Sequence, residues 1–286
     1  MKVEIHNDLQ GFSDLVRPLL LQNEAENNVM LGMLHRRLVA LKDGVTIDAE
    51  EPFLCSISNQ NRIIGAGMQT PPYGLNLTKL PPDAIDPFVD ALSRHSVHLH
   101  GVHSTSETAA SFATAWTRRQ NVSIARSNRL LLYKLNRLCA PKACPGFARL
   151  ATAADVELLW KWELAFANEL DMFASDNTSE VQRKVAQKSF YVWQTDEPVA
   201  KAGYRVISGA CARIVDVYVP HQYRRRGFAS AVAHAIADHL QCLGYSTVFL
   251  FTVAEDVGPN VVYSRLGFET LGEFTDYRFA DTQERA

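Results

Sequence analysis

The sequence predicts an α+β protein in which a mixed, mostly antiparallel sheet is flanked by helices. Apolar residues recur at helical spacing in residues 8–40, 105–120 and 227–243, and short runs rich in β-branched and aromatic residues lie between these segments. Three such runs follow one another within residues 190–219, which is typical of antiparallel strands. With 47% hydrophobic and 21% charged residues, the composition is that of a folded globular chain.

The length and one proline-rich segment predict two domains. The chain has 286 residues, enough for about two domains of ordinary size. Pro141, Pro145 and Gly146 follow an apolar run and precede a new periodic segment. We therefore predict an N-terminal domain at 1–138, a linker at 139–146 and a C-terminal domain at 147–286.

The N-terminal half reads as a mixture of helix and strand. Helical periodicity over residues 8–40 predicts one long helix, and the runs at 53–58 and 62–69 predict two strands joined by a polar turn. A further helix is predicted at 105–120. This half is therefore expected to be an α/β domain.

The C-terminal half predicts the element order ααβββαβαβ. Thr152 and Asp155 stand at the spacing of a helix N-cap and its third residue, ahead of an apolar-periodic segment. Gly244 and Gly267 end two later helices. The elements predicted after the first helix are a helix at 179–188, strands at 190–193, 200–207 and 212–219, a helix at 227–243, a strand at 247–252, a helix at 260–266 and an extended segment at 268–279.

Charge and cysteine content restrict the partners and the compartment. Lysine and arginine number 29 and aspartate and glutamate 31, a formal net charge of -2, so neither nucleic acid nor a membrane is expected as the main partner. Five scattered cysteines are not the pattern of a secreted disulfide scaffold. The first residues are charged, and no apolar run approaches the roughly 20 residues of a membrane span. We expect a cytoplasmic protein, as a monomer or homodimer.

The segment with the clearest chemical meaning is residues 217–230. A valine-rich strand ends at Pro220, three arginines follow, and Gly227 and Ala229 open an Ala-rich helix. A helix N-terminus presents unpaired N–H groups and about half a positive charge, and small residues allow a pyrophosphate to approach them. The segment therefore predicts an anion-binding site.

This segment resembles the acetyl-CoA loop of the GNAT superfamily of N-acetyltransferases. The pattern of Arg or Gln, two residues, Gly, one residue, and Gly or Ala is met by Arg224, Gly227 and Ala229, and the segment 260–268 is similar to the superfamily's second signature. The resemblance implies a GNAT-type fold, with two strands that splay apart to admit the pantetheine arm of acetyl-CoA. The cofactor-binding residues that it implies are Val217, Tyr218, Val219, Arg224, Arg225, Arg226, Gly227, Phe228, Ala229, Ser230 and Asn260.

The resemblance extends to a two-part bacterial subgroup of acetyltransferases. Residues 62–72, 112–116 and 250–252 are similar to that subgroup's recurring phrases, which implies that the N-terminal half has a degenerate GNAT-like fold. That half has no phosphate loop ahead of a helix. It is therefore expected to bind no acetyl-CoA and to complete the substrate cleft or brace the catalytic half.

The implied reaction is transfer of an acetyl group from acetyl-CoA to an amine of a small molecule or a peptide. Tyr263, on the same helix face as Asn260, is predicted to protonate the departing thiolate. The base stays open between Asp216, Glu169, Asp171 and a water chain. Two other functions are carried forward, a non-catalytic acyl-CoA sensor and an acyltransferase that uses a longer acyl-CoA.

Two other kinds of motif are not interpreted as functional sites. Gly65 and Gly67 suggest a dinucleotide fingerprint, but Pro71 and Pro72 follow where its helix would have to begin. The histidine cluster at 98–103 has no carboxylate or cysteine nearby, and Cys139 and Cys144 have no second pair, so no metal site is predicted.

Overall fold

A computed structural model describes residues 1–45, 50–95, 97–171 and 178–280, which form two compact units. The N-terminal unit comprises the described residues of Met1–Leu132, Val253–Glu255 and Leu271–Ala286. The C-terminal unit comprises those of Tyr133–Thr252 and Asp256–Thr270. The two units are therefore not continuous in sequence. The predicted division of the chain at 139–146 stays a prediction.

The N-terminal unit is an α/β structure. Its elements are β1 (Lys2–His6), α1 (Leu9–Gln22), α2 (Asn28–Lys42), β2 (Phe53–Asn59), β3 (Arg62–Gln69), β4 (Leu75–Leu77), α3 (Pro82–Arg94), β5 (Gly101–Thr105), α4 (Ser106–Gln120) and most of β6 (Ile124–Leu135). The strands are ordered β1-β2-β3-β4-β5, antiparallel except that β4 and β5 run parallel. Its core contains Phe88, Phe112 and Trp116 from α3 and α4, packed over these strands.

The C-terminal unit follows the predicted order of helices and strands from its first α-helix onward, and it begins with one strand, β7, that was not predicted. Its elements are β7 (Phe147–Leu150), α5 (Val156–Glu169), α6 (Ser179–Ala186), β8 (Phe190–Gln194), β9 (Pro198–Ser208), β10 (Cys211–Tyr218), α7 (Phe228–Cys242), β11 (Thr247–Val253), α8 (Val257–Arg265) and the start of β12 (Phe268–Phe279). The strands are ordered β7-β8-β9-β10-β11, and only β10 and β11 pair in parallel. Lys201 of β9 reaches Glu163 of α5, whereas Tyr204 packs near His239 of α7, so helices cover both faces of the sheet.

Residues 271–280 belong to the N-terminal unit. Residues Phe274 to Arg278 of β12 pair antiparallel with β5, and the Phe279 N–H donates to the carbonyl of His100. This pairing gives β5 a neighbour on the side away from β4. The extended segment predicted at 268–279 is confirmed as a strand. The second half of this strand belongs to the N-terminal unit because it pairs with β5, which is distant in sequence.

The long helix predicted at 8–40 is wrong in one respect, because two helices occupy that region. Asn23 and Asn27 lie in the turn between α1 and α2. The Asn23 side chain accepts from the Glu26 N–H at 3.3 Å, and the Asn27 amide donates to the carbonyl of Leu20 at 3.1 Å. These local bonds replace helical ones, which is how asparagine interrupts a helix.

Several sequence features have the structural role predicted for them. Thr152 and Asp155 form a capping box ahead of α5, and Arg149 pairs with the Asp155 carboxylate at 2.8 Å. This hydrogen bond from Arg149 is the main reason that the pKa of Asp155 falls to about 2. Helices α7 and α8 end just before Gly244 and Gly267. Helix α8 begins three residues before the predicted start, since Pro259 is tolerated in a first turn.

Candidate functional site

The site begins where β10 and β11 cease to pair with each other. Their parallel register runs from Cys211 opposite Thr247 to Arg213 opposite Phe249, and both strands continue beyond it, to Tyr218 and Val253. The later residues of β10 pair with β9 through a β-bulge. The pairing between the two parallel strands therefore stops before their carboxyl ends.

The bulge in β10 is centred on Asp216, whose φ is +57°. Val215 lies opposite Gly203 and Tyr218 opposite Lys201, so β10 has one more residue than β9 over this stretch. An aspartate with positive φ is uncommon and marks a backbone fixed by its surroundings. The sequence predicts that Val217, Tyr218 and Val219 face pantetheine. Val217 lies within this bulge, and the other two residues follow it directly.

The loop between β10 and α7 has the backbone of an anion site. The φ angles are +63° at Arg225 and +90° at Gly227, and the second of these residues is the N-cap of α7. Alternating backbone hand turns successive N–H groups toward one side, in a concave nest that attracts anions. The N–H groups of Phe228, Ala229 and Ser230 follow at the helix N-terminus, where no preceding turn can accept from them.

The side chains of this loop have different environments. Arg225, Arg226 and Gly227 are exposed, and Ala229 and Ser230 are partly exposed in the first turn of α7. Phe228 is buried and anchors the helix in the core. The exposed pair of arginines and the N-terminus of α7 thus stand together, as the sequence predicts.

Arg224 is held differently from its two neighbours. Its Nε donates to the carbonyl of Val219 at 2.8 Å, and its NH2 group lies 2.8 Å and 2.6 Å from the two carboxylate oxygens of Glu169, at the end of α5. The guanidinium also lies over the ring of Tyr218, 5.7 Å from its centroid. The first arginine of the motif is therefore turned toward the protein.

Asn260 and Tyr263 lie on α8, which packs against α7. The Asn260 side-chain oxygen accepts a hydrogen bond from the hydroxyl of Thr252 on β11, and another from Tyr133 at 3.4 Å. Asn260 therefore joins α8 to the end of β11. It also lines a shallow cavity of about 460 Å³ on the outer face of α8, together with Val257, Val261, Ser264 and Arg265.

Tyr263 is a buried tyrosine with 7% of its surface exposed. Its ring meets Phe268 edge-on, with the centroids 6.0 Å apart. Burial raises the pKa of its hydroxyl well above the ordinary value, because ionisation is costly away from water. The group is therefore a neutral proton donor over the whole physiological pH range.

A buried network of charges, which the sequence did not reveal, supports the bulge. Lys184 of α6 lies 2.8 Å from Asp216 and 3.5 Å from Glu163, and Lys201, fully buried, lies 2.6 Å from Glu163. Burial opposes the ionisation of Asp216, but Lys184 and Lys201 outweigh it and hold its pKa well below the usual range. Burial lowers the pKa of Lys201, although Glu163 opposes the change. Lys201, a charged residue inside the apolar strand segment 198–203, is the sequence feature that could have indicated this network.

The corresponding loop of the N-terminal unit offers few N–H groups to an anion. β4 is followed by Thr78, whose hydroxyl accepts from the Ala66 N–H, and the Leu80 N–H donates to Thr108. Pro81 and Pro82 then begin α3 and have no N–H at all. The glycines suspected of a dinucleotide fingerprint lie inside β3, where they allow close strand packing.

Two further observations concern metals and membranes. Within residues 1–45, 50–95, 97–171 and 178–280, no three His, Cys, Asp or Glu side chains are grouped as a metal site would require. No helix in those same ranges is long and apolar enough to cross a lipid bilayer.

Comparison with known proteins connects this geometry with one family. Residues 155–268 match the family model described as acetyltransferase (GNAT) family. A search of curated protein sequences finds no match.

Solved structures match nearly the whole chain. An acetyltransferase of the GNAT family from Colwellia psychrerythraea is 13% identical, with 98% of this chain and 100% of that one covered and a TM-score of 0.59. A Drosophila protein is 12% identical, with 96% and 98% covered and a TM-score of 0.72. A tandem GNAT protein from the clavulanic acid biosynthesis pathway is 12% identical, with 98% of each chain covered and a TM-score of 0.57.

These likenesses are too distant in sequence to carry more than the fold. They extend over both halves of the chain, whereas the family model is confined to residues 155–268. That range includes the bulge at Asp216, the loop at 224–227 and both α8 residues. The fold is the α+β GNAT fold, and residues 155–268 match the model of the acetyltransferase (GNAT) family.

Proposed function

We propose that the C-terminal unit is an acetyl-CoA-dependent N-acetyltransferase that acts on an amine of a small molecule or a peptide. The observation that carries this proposal is the loop at 224–227, whose alternating backbone hand and exposed arginines lie between the diverging strand β10 and the N-terminus of α7. A pyrophosphate needs such convergent N–H groups and local positive charge.

Each predicted binding residue except Arg224 has a proposed place along the cofactor. The backbone of Val217, Tyr218 and Val219, at and after the bulge, would pair with the pantetheine amides. Arg225, Arg226 and the N–H groups from Gly227 to Ser230 would hold the pyrophosphate. Asn260 of α8, which is hydrogen-bonded to Thr252 near the end of β11, would stand beside the pantetheine arm. Arg224 would act on the cofactor through the loop and not by direct contact.

The chemistry assigned to the site is direct acyl transfer. A neutral amine attacks the thioester carbonyl, and the tetrahedral intermediate collapses by breaking its carbon–sulfur bond. The sulfur leaves as a thiolate and takes the proton of the Tyr263 hydroxyl, and the proton lost by the amine returns to tyrosinate through solvent. The support for this role is the place of Tyr263 on α8, one helical turn after Asn260; burial keeps its hydroxyl protonated but also makes it a weaker acid, so its contribution to the rate is expected at the low end for general acid catalysis.

A water chain is the proposed route for the amine proton. Among the predicted bases, Asp216 is paired with Lys184 and its pKa is held low, and both oxygens of Glu169 are taken by Arg224. Because Asp216 strongly favours its ionised form, it is a poor proton acceptor near neutral pH. We propose that the reaction takes place in the cytoplasm, since Cys139 and Cys242 are exposed free thiols.

Two alternatives remain distinct from this proposal. An acyl-CoA sensor would bind the cofactor without turnover and would not need a buried phenol at the sulfur. An acyltransferase for longer chains would show the same thiol release, with a preference for longer acyl-CoA. Turnover with a series of acyl-CoA lengths separates all three.

The test is release of free CoA thiol from acetyl-CoA in the presence of an amine library. Once an acceptor is found, Tyr263→Phe removes one hydroxyl and keeps the ring, so kcat is expected to fall by about 10²-fold while CoA affinity stays close to wild type. Tyr204→Phe, at a partly buried tyrosine on β9, is the matched control. An unchanged kcat in Tyr263→Phe, with chemistry shown to be rate-limiting, would remove this residue from the mechanism.

A further inference from the structure

Glu169 joins three parts of the C-terminal unit. It lies at the last position of α5, its two carboxylate oxygens accept from Arg224, and one of them accepts from the Tyr218 hydroxyl at 3.1 Å. The imidazole of His221 lies 3.5 Å from the same carboxylate. One side chain therefore connects the end of α5, the end of β10 and the start of the loop at 224–227, which we call the phosphate loop.

Each of the three guanidinium nitrogens of Arg224 has a partner within the protein. Its Nε is committed to the Val219 carbonyl, its NH2 group to Glu169, and its NH1 group lies 3.3 Å from the ring nitrogens of His221. A guanidinium has five N–H donors in a fixed plane, so a group bound at both its Nε and its NH2 cannot turn toward a ligand without breaking those bonds.

The charges around the loop also distinguish Arg224 from Arg225 and Arg226. A carboxylate beside a pyrophosphate site would repel the ligand unless its charge were neutralised, and Arg224 neutralises that of Glu169 at hydrogen-bond distance. Arg225 and Arg226 are exposed and lie one and two residues nearer the N-terminus of α7. The positive charge available to an anion is therefore that of the second and third arginines.

The loop also needs an anchor. Arg225 adopts a positive φ, which costs free energy for a residue with a side chain and persists only where flanking contacts enforce it. Immediately before it, Arg224 is fixed by the Val219 carbonyl and by Glu169. We propose, on the basis of the function proposed above, that Glu169 is a positioning residue for the CoA phosphate loop and acts through Arg224, which is not a phosphate ligand.

The test measures CoA binding by calorimetry in Glu169→Gln, Arg224→Gln and the double variant. Glu169→Gln removes the negative charge, and with it one of the two oxygen acceptors for Arg224, so CoA binding is expected to weaken about tenfold. The double variant is expected to bind CoA no more weakly than Arg224→Gln, because both changes release the same anchor. Pantetheine, which lacks the pyrophosphate, is expected to bind all three variants like wild type.

Glu157→Gln is the matched control on the same helix. Glu157 forms an exposed pair with Lys161 in the first turns of α5, with both side chains 63% exposed, and it is expected to leave CoA affinity unchanged. Thermal unfolding of every variant is recorded alongside. A merely structural role for Glu169 would lower the unfolding temperature and weaken CoA and pantetheine alike, and this result would overturn the inference.

Direct phosphate binding by Arg224 predicts a different pattern. Arg224→Gln would then weaken CoA binding, whereas Glu169→Gln would leave it unchanged or strengthen it by releasing the guanidinium. Unchanged CoA affinity in every variant would likewise refute the positioning role. Failure of the wild-type protein to bind CoA would instead overturn the proposed function, and the inference with it.

Discussion

Gly227 offers a direct measure of how much the phosphate loop depends on its backbone. A methyl group at this residue would meet only the Cβ of Cys144, at 3.6 Å, which is an ordinary contact. Steric overlap is therefore not the cost of Gly227→Ala. The cost is the φ of +90°, a left-handed conformation that a residue with a Cβ adopts at an expense of about 1–2 kcal/mol.

This strain must appear in one of two measurable quantities. If the alanine loop keeps its conformation, the free energy of unfolding falls by about 1–2 kcal/mol, equivalent to roughly 2–8 °C in the unfolding temperature. If the free loop relaxes to negative φ, stability is preserved, but CoA must restore the bound conformation. Its affinity then falls about 5- to 30-fold. The two losses together are expected to equal the strain.

Gly244→Ala is the matched control at the other end of the same helix. Gly244 has a φ of +92°, with nothing within 4 Å of an added methyl group, and lies about 22 Å from the N-terminus of α7 by helix length. It carries the same strain without touching the loop. Its stability loss should match the sum of the two losses in Gly227→Ala, and its CoA affinity should be that of wild type.

Calorimetric titration with CoA and thermal unfolding of the free proteins measure both quantities. The reasoning is refuted if Gly227→Ala shows wild-type stability together with wild-type CoA affinity. It is also refuted if Gly244→Ala loses as much CoA affinity as Gly227→Ala, because the effect would then belong to the whole helix.

Two further predictions concern buried charge. Lys184→Met leaves the carboxylate of Asp216 without its 2.8 Å partner, and it is expected to destabilise the protein by about 3 kcal/mol in urea unfolding, most of which Asp216→Asn in the same chain should restore. A loss below about 0.5 kcal/mol would show that the network does not support the bulge. Burial raises the pKa of the Asp276 carboxyl to about 6, although the charges of Arg126 and Arg278 act in the opposite direction. Between about pH 4 and 6 the folded state therefore binds more protons than the unfolded state. The free energy of unfolding falls as the pH rises through that window. Asp276→Asn is therefore expected to add about 3 kcal/mol at pH 7.5 and close to nothing at pH 4, and an equal gain at both pH values would contradict this cause.

Local sequence determined most of the C-terminal unit. Its helix caps, its β-meander and the loop at 224–227 depend on neighbours within a few residues, so N-cap chemistry, strand alternation and glycine position were sufficient to predict them. The residues of the candidate site were predicted from two short motifs through their resemblance to a known family, and their roles stay predictions. The hydrophobic pattern failed within residues 8–40, because Asn23 and Asn27 end a helix by hydrogen bonds that periodicity does not show.

Tertiary structure decided the features that depend on partners distant in sequence. Helix α3 was not predicted, because Pro82 and Pro87 resemble loop residues until packing of the helix against α4 offsets their cost. The pairing of β12 with β5 joins residues more than 160 positions apart, and no local pattern specifies such a choice. The same reason applies to Arg224, which the sequence groups with its two neighbouring arginines. Only the approach of Glu169 from α5, 55 positions earlier, separates the arginine that anchors the loop from the two that face solvent.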